Sequence, residues 1–328
     1  MRISEARAPF IKTPVHAFDL AYDLLIALAP VLIWSTYVFG PRVLSICAIG
    51  GICTAVFDLL IRLVFKIQKN FIPDPLAAAF GILACFTLPV SAPLWAPIAA
   101  AGLTAAAKNI RYFRGRRALN PFVFSAAAMN LIFPSVMNVF TRPRAYFRPF
   151  VWKVGEKLIS DYRVISPLEY IKDGDVYEEG ALAQFIGYAS GHIGEIAVCA
   201  MLFSAIWLIY RRRLDIRTVA AFLVPIFVLG LIFPSDDAES NYYVYSLILS
   251  GAAVFLSVFA SAEGSTVPAT KVGRIIFGAA NGTIIFLTRK FFGGAEFGYY
   301  SVLLLGLLTP FIEKLTLPKP TGVKNEKR

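Results

Sequence analysis

The chain has 328 residues, of which 57% are hydrophobic and 16% charged, with a mean hydropathy of +0.65 and a formal net charge of +11. Soluble domains carry about 25% charged residues and about 45–50% apolar ones, so too few charges remain to cover a water-facing surface, and a soluble globular fold is excluded. Lys and Arg number 32 against 21 acids, but they cluster between apolar stretches, where membrane orientation accounts for them and nucleic-acid binding does not.

The stretch from Met1 to Asp19 is polar, basic and Pro-containing. It lacks a short apolar region followed by a small-residue cleavage site, so the first span is expected to act as its own insertion signal. A membrane span needs about 20 mainly apolar residues. On that measure spans are expected at 21–39, 42–63, 75–91, 94–107, 121–140, 182–210, 217–234, 241–261, 272–289 and 298–315. The fold class is therefore an all-α polytopic membrane protein of about ten helices. Cys47, Cys53, Cys85 and Cys199 fall inside these spans with no Cys-x-x-Cys pair, and read as small apolar residues rather than a disulfide or iron–sulfur framework.

Orientation follows from the connecting charges. Arg62, Lys66 and Lys69 follow the second span; Lys108, Arg111, Arg114, Arg116 and Arg117 the fourth; Arg211, Arg212, Arg213 and Arg217 the sixth; Lys319, Lys324, Lys327 and Arg328 the tenth. All fall on one side if both termini are cytoplasmic. Asp236, Asp237, Glu239 and the mixed-charge stretch 141–180 face the other side, with Arg289 and Lys290 as the one exception. The long loop, 141–180, separates a five-span half at 1–140 from a second at 181–328. An odd number of spans per half turns the second upside-down, the arithmetic of an inverted repeat. In each half the third span runs into a polar, Pro-containing break, Thr87–Pro93 and Glu263–Pro268. Such paired breaks point to a shared midplane site, although Pro and Gly are also common in membrane helices.

No helical His-Glu-x-x-His, P-loop or nucleophile elbow occurs, and His16 and His192 are the only histidines. Self-contained hydrolysis, phosphoryl transfer and ATP-driven transport are thereby excluded. Four stretches stand out. Lys108 to Phe122 is basic and ends in Asn120-Pro121, which suits a helix start with Asn120 as cap. Ser190-Gly-His-Ile-Gly-Glu195 is expected to set a carboxylate and an imidazole at the membrane entrance of the sixth span. Glu263 to Pro268 leads to Lys271, Gly273, Arg274 and Gly278. Asp161-Tyr-Arg-Val-Ile-Ser-Pro-Leu168 lies in the long loop. Lys108 reads as an interfacial charge in contact with water. Glu195 and Glu263 read either as such charges or as ion or ligand sites at helix breaks.

These motifs together resemble the D subunit of Rnf-type ion-translocating electron transport complexes, a family related to the B subunit of sodium-translocating NADH:quinone reductase. The family's Lys, Gly turn and Asn-Pro-Phe are matched by Lys108, Gly115 and Asn120 to Phe122, with Val123-Phe124 replacing its second Asn-Pro. Gly-x-x-Gly-Glu is matched by Gly191, Gly194 and Glu195. A later Thr- and Pro-containing motif is similar to Ala262–Pro268 with Gly273-Arg274. The opening 13–40 and the break holding Leu88-Pro89 and Ala92-Pro93 fit as well, so the resemblance spans nearly the whole chain.

The resemblance implies a membrane subunit of a redox-driven pump in the bacterial cytoplasmic (inner) membrane. It would take part in flavin-mediated electron transfer coupled to Na+ or H+ movement. Other membrane subunits and iron–sulfur subunits would supply the clusters and the NADH or ferredoxin site, leaving no complete catalytic site in this chain. It implies FMN, esterified in the family on a loop threonine whose place Ser166 takes here, with riboflavin as a second candidate. Asn120, Gly191, Gly194, Glu195, Glu263 and Thr266 are the accompanying candidate cofactor-binding residues. The loop is one residue shorter than the family's, and small residues have become Arg163, Val164 and Ile165, so an ordinary Ser-Pro turn stands beside the ester as a reading of Ser166. A transporter or channel-like protein on the same scaffold without covalent flavin, or a structural assembly subunit, are the alternatives.

Overall fold

The computed structural model describes residues 17–66, 73–110, 117, 119–144, 146–167, 180–234, 240–292 and 297–317. Thr13, Lys69, Arg111, Arg114, Gly115, Arg116, Leu168, Asp236, Asp237, Glu239, Lys319, Lys324, Lys327 and Arg328, all weighed above, lie outside the described residues. The described part is helical, with one isolated strand-like pairing between Thr141 and Arg163.

In the first part of the chain, α1 is Ala17–Phe39, α2 Arg42–Val64, α3 Pro75–Phe86, α4 Trp95–Asn109 and α5 Pro121–Ile132, followed by the single turn α6, Pro134–Met137. The loop carries α7, Glu156–Tyr162. Beyond it come α8 Gly180–Ile186, α9 Val198–Tyr210, α10 Ile216–Ile232, α11 Ser240–Leu249 and α12 Ala253–Phe255, the last running into a π-helical turn at Leu256–Ala260. The chain ends in α13 Lys271–Phe292 and α14 Phe297–Thr316. Local chemistry sets several starts. The Asp74 carboxylate accepts from the Leu76 N–H at 2.9 Å with Pro75 opening α3, and Asn120 caps α5 ahead of Pro121 as the sequence predicts.

α1, α2 and α13 are long and apolar enough to cross a membrane, and α11 with α12 forms an apolar pair bent by 49°. α3, α5, α9 and α10 are shorter apolar helices. Together they describe a multi-pass membrane protein, and each stretch read as a span contains helix. α2 packs on α3 and α4, α4 on α5, α10 on α13, and α13 on α14, while α1 meets α9 and α5 meets α14 across the chain's two parts.

Several expected spans are corrected: the fifth ends at Ile132 with only the single turn Pro134–Met137 beyond it, and the eighth breaks at 250–252. The third stops at Phe86 rather than continuing to 91, and 87–94 is non-helical. The sixth is not one helix over 182–210: it is interrupted from 187 to 197. Gly187 takes φ +101°, a left-handed conformation in which the helix cannot continue, and Trp34 packs against it. Ser190 to Glu195 consequently sits inside this interruption, not at the mouth of a continuous helix.

Candidate functional site: two helix breaks and three buried ionic clusters

The 87–94 and 187–197 breaks meet. The Gly194 N–H donates to the carbonyl of Phe86 at 2.8 Å and Ile193 N–H to that of Leu88 at 3.0 Å. Each break thus satisfies backbone groups that the other's missing helix leaves open. Gly194 has no room for a side chain, because a Cβ there would collide with Phe86. Ser35 Oγ donates to Ile193 O at 2.6 Å, binding α1 to the same joint.

At this joint lies the first cluster. Glu195 and His192 are 2% and 1% exposed, with His192 Nδ1 3.0 Å from Glu195 Oε2. The Tyr299 hydroxyl of α14 bonds Glu195 Oε1, and the Phe140 ring meets His192 edge-on at 5.2 Å between centroids. From α13, Arg289 places a buried cation in the field of Glu195 while donating from Nη1 to Leu247 O. Gly191, also predicted from sequence, packs against Ile196.

The second cluster gathers three of the other sequence candidates. Glu263 follows the π-helical turn and is 4% exposed. Arg117 Nη1 lies 2.7 Å from its Oε1. Ser265 Oγ also donates to Oε1, and Oε2 accepts at 3.1 Å from each of Ser265 N, Thr266 N and Thr266 Oγ1. Arg117 rests over the Phe80 ring of α3, 5.2 Å from its centroid. Asn120 Nδ2 reaches Ala260 O at 3.5 Å, and Thr309 Oγ1 donates to Thr266 O at 2.6 Å. Asn120, Glu263 and Thr266 therefore form one knot joining the start of α5, the π turn and α14.

A third cluster corrects the reading of Lys108. It is not a water-facing charge: it is 8% exposed, with Nζ 2.9 Å from Asp58 Oδ2 and 2.7 Å from Asp74 Oδ2. Asp58, fully buried on α2, also takes Arg62 Nη2 at 2.8 Å and Asn109 Nδ2 at 2.9 Å. A lysine this deep in an apolar bundle needs such partners.

The family model described as "NQR2, RnfD, RnfE family" matches residues 4–322 of this sequence. The chain belongs to the NQR2, RnfD, RnfE family. Several similar proteins align with it nearly end to end. The D subunit of the Na(+)-translocating ferredoxin:NAD(+) oxidoreductase complex of Acetobacterium woodii is 26% identical, over 100% of this chain and 98% of that protein. The D subunit of the ion-translocating oxidoreductase complex of Halorhodospira halophila is 24% identical over 96% and 94% of the two chains. The D subunit of the proton-translocating ferredoxin:NAD(+) oxidoreductase complex of Clostridium ljungdahlii is 24% identical over 97% and 95%.

Among the motifs tying this chain to the NQR2, RnfD, RnfE family, Ser166 stands apart from the three clusters, in the loop folded over the joint. Val164 N–H donates to Phe140 O at 3.1 Å and Ser190 Oγ to Ile165 O at 2.8 Å, so the Ser166 stretch is pinned to the residue that meets His192 edge-on and to the break itself. Ser166 is 8% exposed while Ile165 beside it is 47% exposed. That setting does not suit a phosphoester: Ser166 is buried, and its neighbours Arg163, Val164 and Ile165 are bulky rather than small. His192, Tyr299, Arg289, Arg117 and Asp58 complete the clusters. Of these, sequence reasoning singles out His192 and misses the pairings of the others, whose partners are as far away along the chain as the 50 residues between Asp58 and Lys108 or the 146 between Arg117 and Glu263.

Proposed function

We propose that this chain is a membrane subunit of a redox-driven, ion-translocating oxidoreductase complex, built as two inverted five-helix halves in the bacterial inner membrane with both termini cytoplasmic. The observation that carries the reading is the end-to-end match to the D subunits of such complexes. The packing pairs support the inverted repeat. α2 on α4 and α4 on α5 in one half have counterparts in α10 on α13 and α13 on α14, and α1–α9 and α5–α14 are the pairs that a two-fold axis would bring together.

In this role the chain's own residues hold charge inside the membrane. Moving one charge against about 100 mV takes about 2.3 kcal/mol, which an electron-transfer step in partner subunits can drive. Glu195 with His192 at the joined breaks is where a buried ionisable pair meets the loop, while Glu263 beside the π turn is held by donors from Arg117, Ser265 and Thr266. Iron–sulfur subunits and other membrane subunits belong to the proposal as partners, and FMN or riboflavin as the redox group. The test removes this subunit from the assembled complex and measures redox-driven ion uptake into inverted membrane vesicles. Uptake should disappear while the soluble dehydrogenase reaction with artificial acceptors persists; uptake at the full rate without the subunit would sink the reading.

The enclosure of Ser166 favours a second reading, a transporter-like subunit on the same scaffold without covalent flavin. A flavin band under ultraviolet light on a denaturing gel, abolished by Ser166→Ala, would reject it. No band, with no flavin released by acid, would establish it.

A further inference from the structure

The relatives' names carry sodium in one case and the proton in another, so the ion has to be argued from this chain's own residues. The Tyr299 hydroxyl bonds Glu195 Oε1, and His192 Nδ1 lies 3.0 Å from Oε2. The remaining charged neighbour is Arg289, 7% exposed, whose Nε has no hydrogen-bond partner among the described residues. Hard cations need a shell of several oxygen ligands. Here the carboxylate meets a tyrosine hydroxyl and an imidazole nitrogen, and the buried cation of Arg289 adds a positive field that disfavours a metal ion. Among the described residues, no three His, Cys, Asp or Glu side chains gather as metal ligands anywhere.

A proton needs no such shell. On the strength of the ion-moving reading above, we propose that the buried pair of Glu195 and His192, closed in by Tyr299 and Phe140, forms a proton-holding site that excludes sodium. Uptake adds one proton and no electron to the pair. Counting Glu195 as anionic, Arg289 as cationic and His192 as neutral, the cluster passes from neutral to singly positive. The proton belongs to the coupled pair rather than to one atom of it. Among the described residues, Tyr299 from α14 bonds the pair and Arg289 from α13 sets a positive charge in its field, with Phe140 and Ser35 supplying uncharged contacts at the joint.

The joint also gives this site a handle. Phe140 meets His192 edge-on and its carbonyl accepts from Val164 N–H, and Ser190 holds Ile165, so the loop is tied directly to the imidazole's surroundings.

The experiment is an infrared difference titration of the purified full-length protein in lipid nanodiscs, with and without sodium. One protonation, visible in carboxyl or imidazole bands and unmoved by sodium, is expected. Glu195→Gln and His192→Gln should each remove it, and Tyr299→Phe should shift its midpoint. A midpoint displaced by sodium overturns the proposal, as does a titration surviving in both variants. The sodium comparison uses unaltered protein, so it decides even if a variant misfolds. Sodium competition would leave the complex-level function standing, whereas loss of that function would leave this titration in place.

Discussion

Phe86 accepts the Gly194 N–H at 2.8 Å, which makes the end of α3 and the interruption before α9 a single joint between the two parts of the chain. A methyl group at 194 would meet the Cβ and Cγ of Phe86, the rigid base of that side chain. Gly194→Ala is expected to destabilise the protein by about 1–3 kcal/mol, the usual range for overpacking. Gly191→Ala, whose methyl would meet only the Ile196 Cγ2 at 2.8 Å, should cost less. Thermal unfolding of the detergent-solubilised protein gives the order; equal losses would mean that the joint is not tightly packed.

Lys108 and Asp58 allow a sharper test, because a broken buried pair is worse than an absent one. Lys108→Met leaves Asp58 with Arg62 and Asn109, so the loss should fall at the lower end of the about 3–5 kcal/mol seen when one partner is removed. The double variant Lys108→Met with Asp58→Asn should recover part of it. Additive losses in the double-mutant cycle would show that the two groups do not interact.

Asp74 adds a pH dependence. Burial raises its pKa, but the Lys108 hydrogen bond and charge, with the Leu76 N–H, outweigh burial and hold the carboxyl below its ordinary value of 3.8. A carboxylate with a depressed folded pKa stabilises the protein above the unfolded value, and that share is lost as pH falls through the folded one. Unfolding midpoints should therefore drop below about pH 4, and Asp74→Asn should be less stable at neutral pH yet show a flatter acid slope. An unchanged slope would mean that other carboxylates carry the acid sensitivity.

The helical segments are legible in the sequence because membrane apolarity and the Asn120-Pro121 and Asp74-Pro75 starts are local signals. The interruption at 187–197 is not, since Ile193, Ile196, Ala197 and Val198 keep the stretch apolar enough to read as one span, and its backbone groups are satisfied by Phe86 and Leu88, far away along the chain. The burial of Lys108 is hidden for the same reason: its partners Asp58 and Asp74 are 50 and 34 residues distant. Arg289, which breaks the charge asymmetry of the connections, is buried and bonded to Leu247 O. It sits near the end of α13 as Lys108 sits near the end of α4, a placement that the inverted repeat would bring into correspondence.

Arg42 offers the last test, on the loop that covers the joint. Its guanidinium is fully buried and donates to four carbonyls: Val90 at 2.9 Å, Ala92 at 2.8 Å, and Arg148 and Val151 at 3.0 Å each. Two of these belong to the 87–94 break and two to the loop, so one planar fork fastens the loop to the bundle. A lysine presents its donors from a single nitrogen and cannot span that geometry. Each buried carbonyl left without a donor costs about 1–3 kcal/mol, and the loop is the part free to move away and regain water. Arg42→Lys should therefore speed cleavage by trypsin after Arg142, Arg144 and Arg148, and Arg42→Met should speed it further, while unfolding of the helical bundle shifts less. If neither variant is cut faster, other ties, among them Leu94 N–H to Trp152 O at 2.9 Å, Arg144 N–H to Val38 O at 2.8 Å and Ser190 Oγ to Ile165 O at 2.8 Å, hold the loop without the arginine.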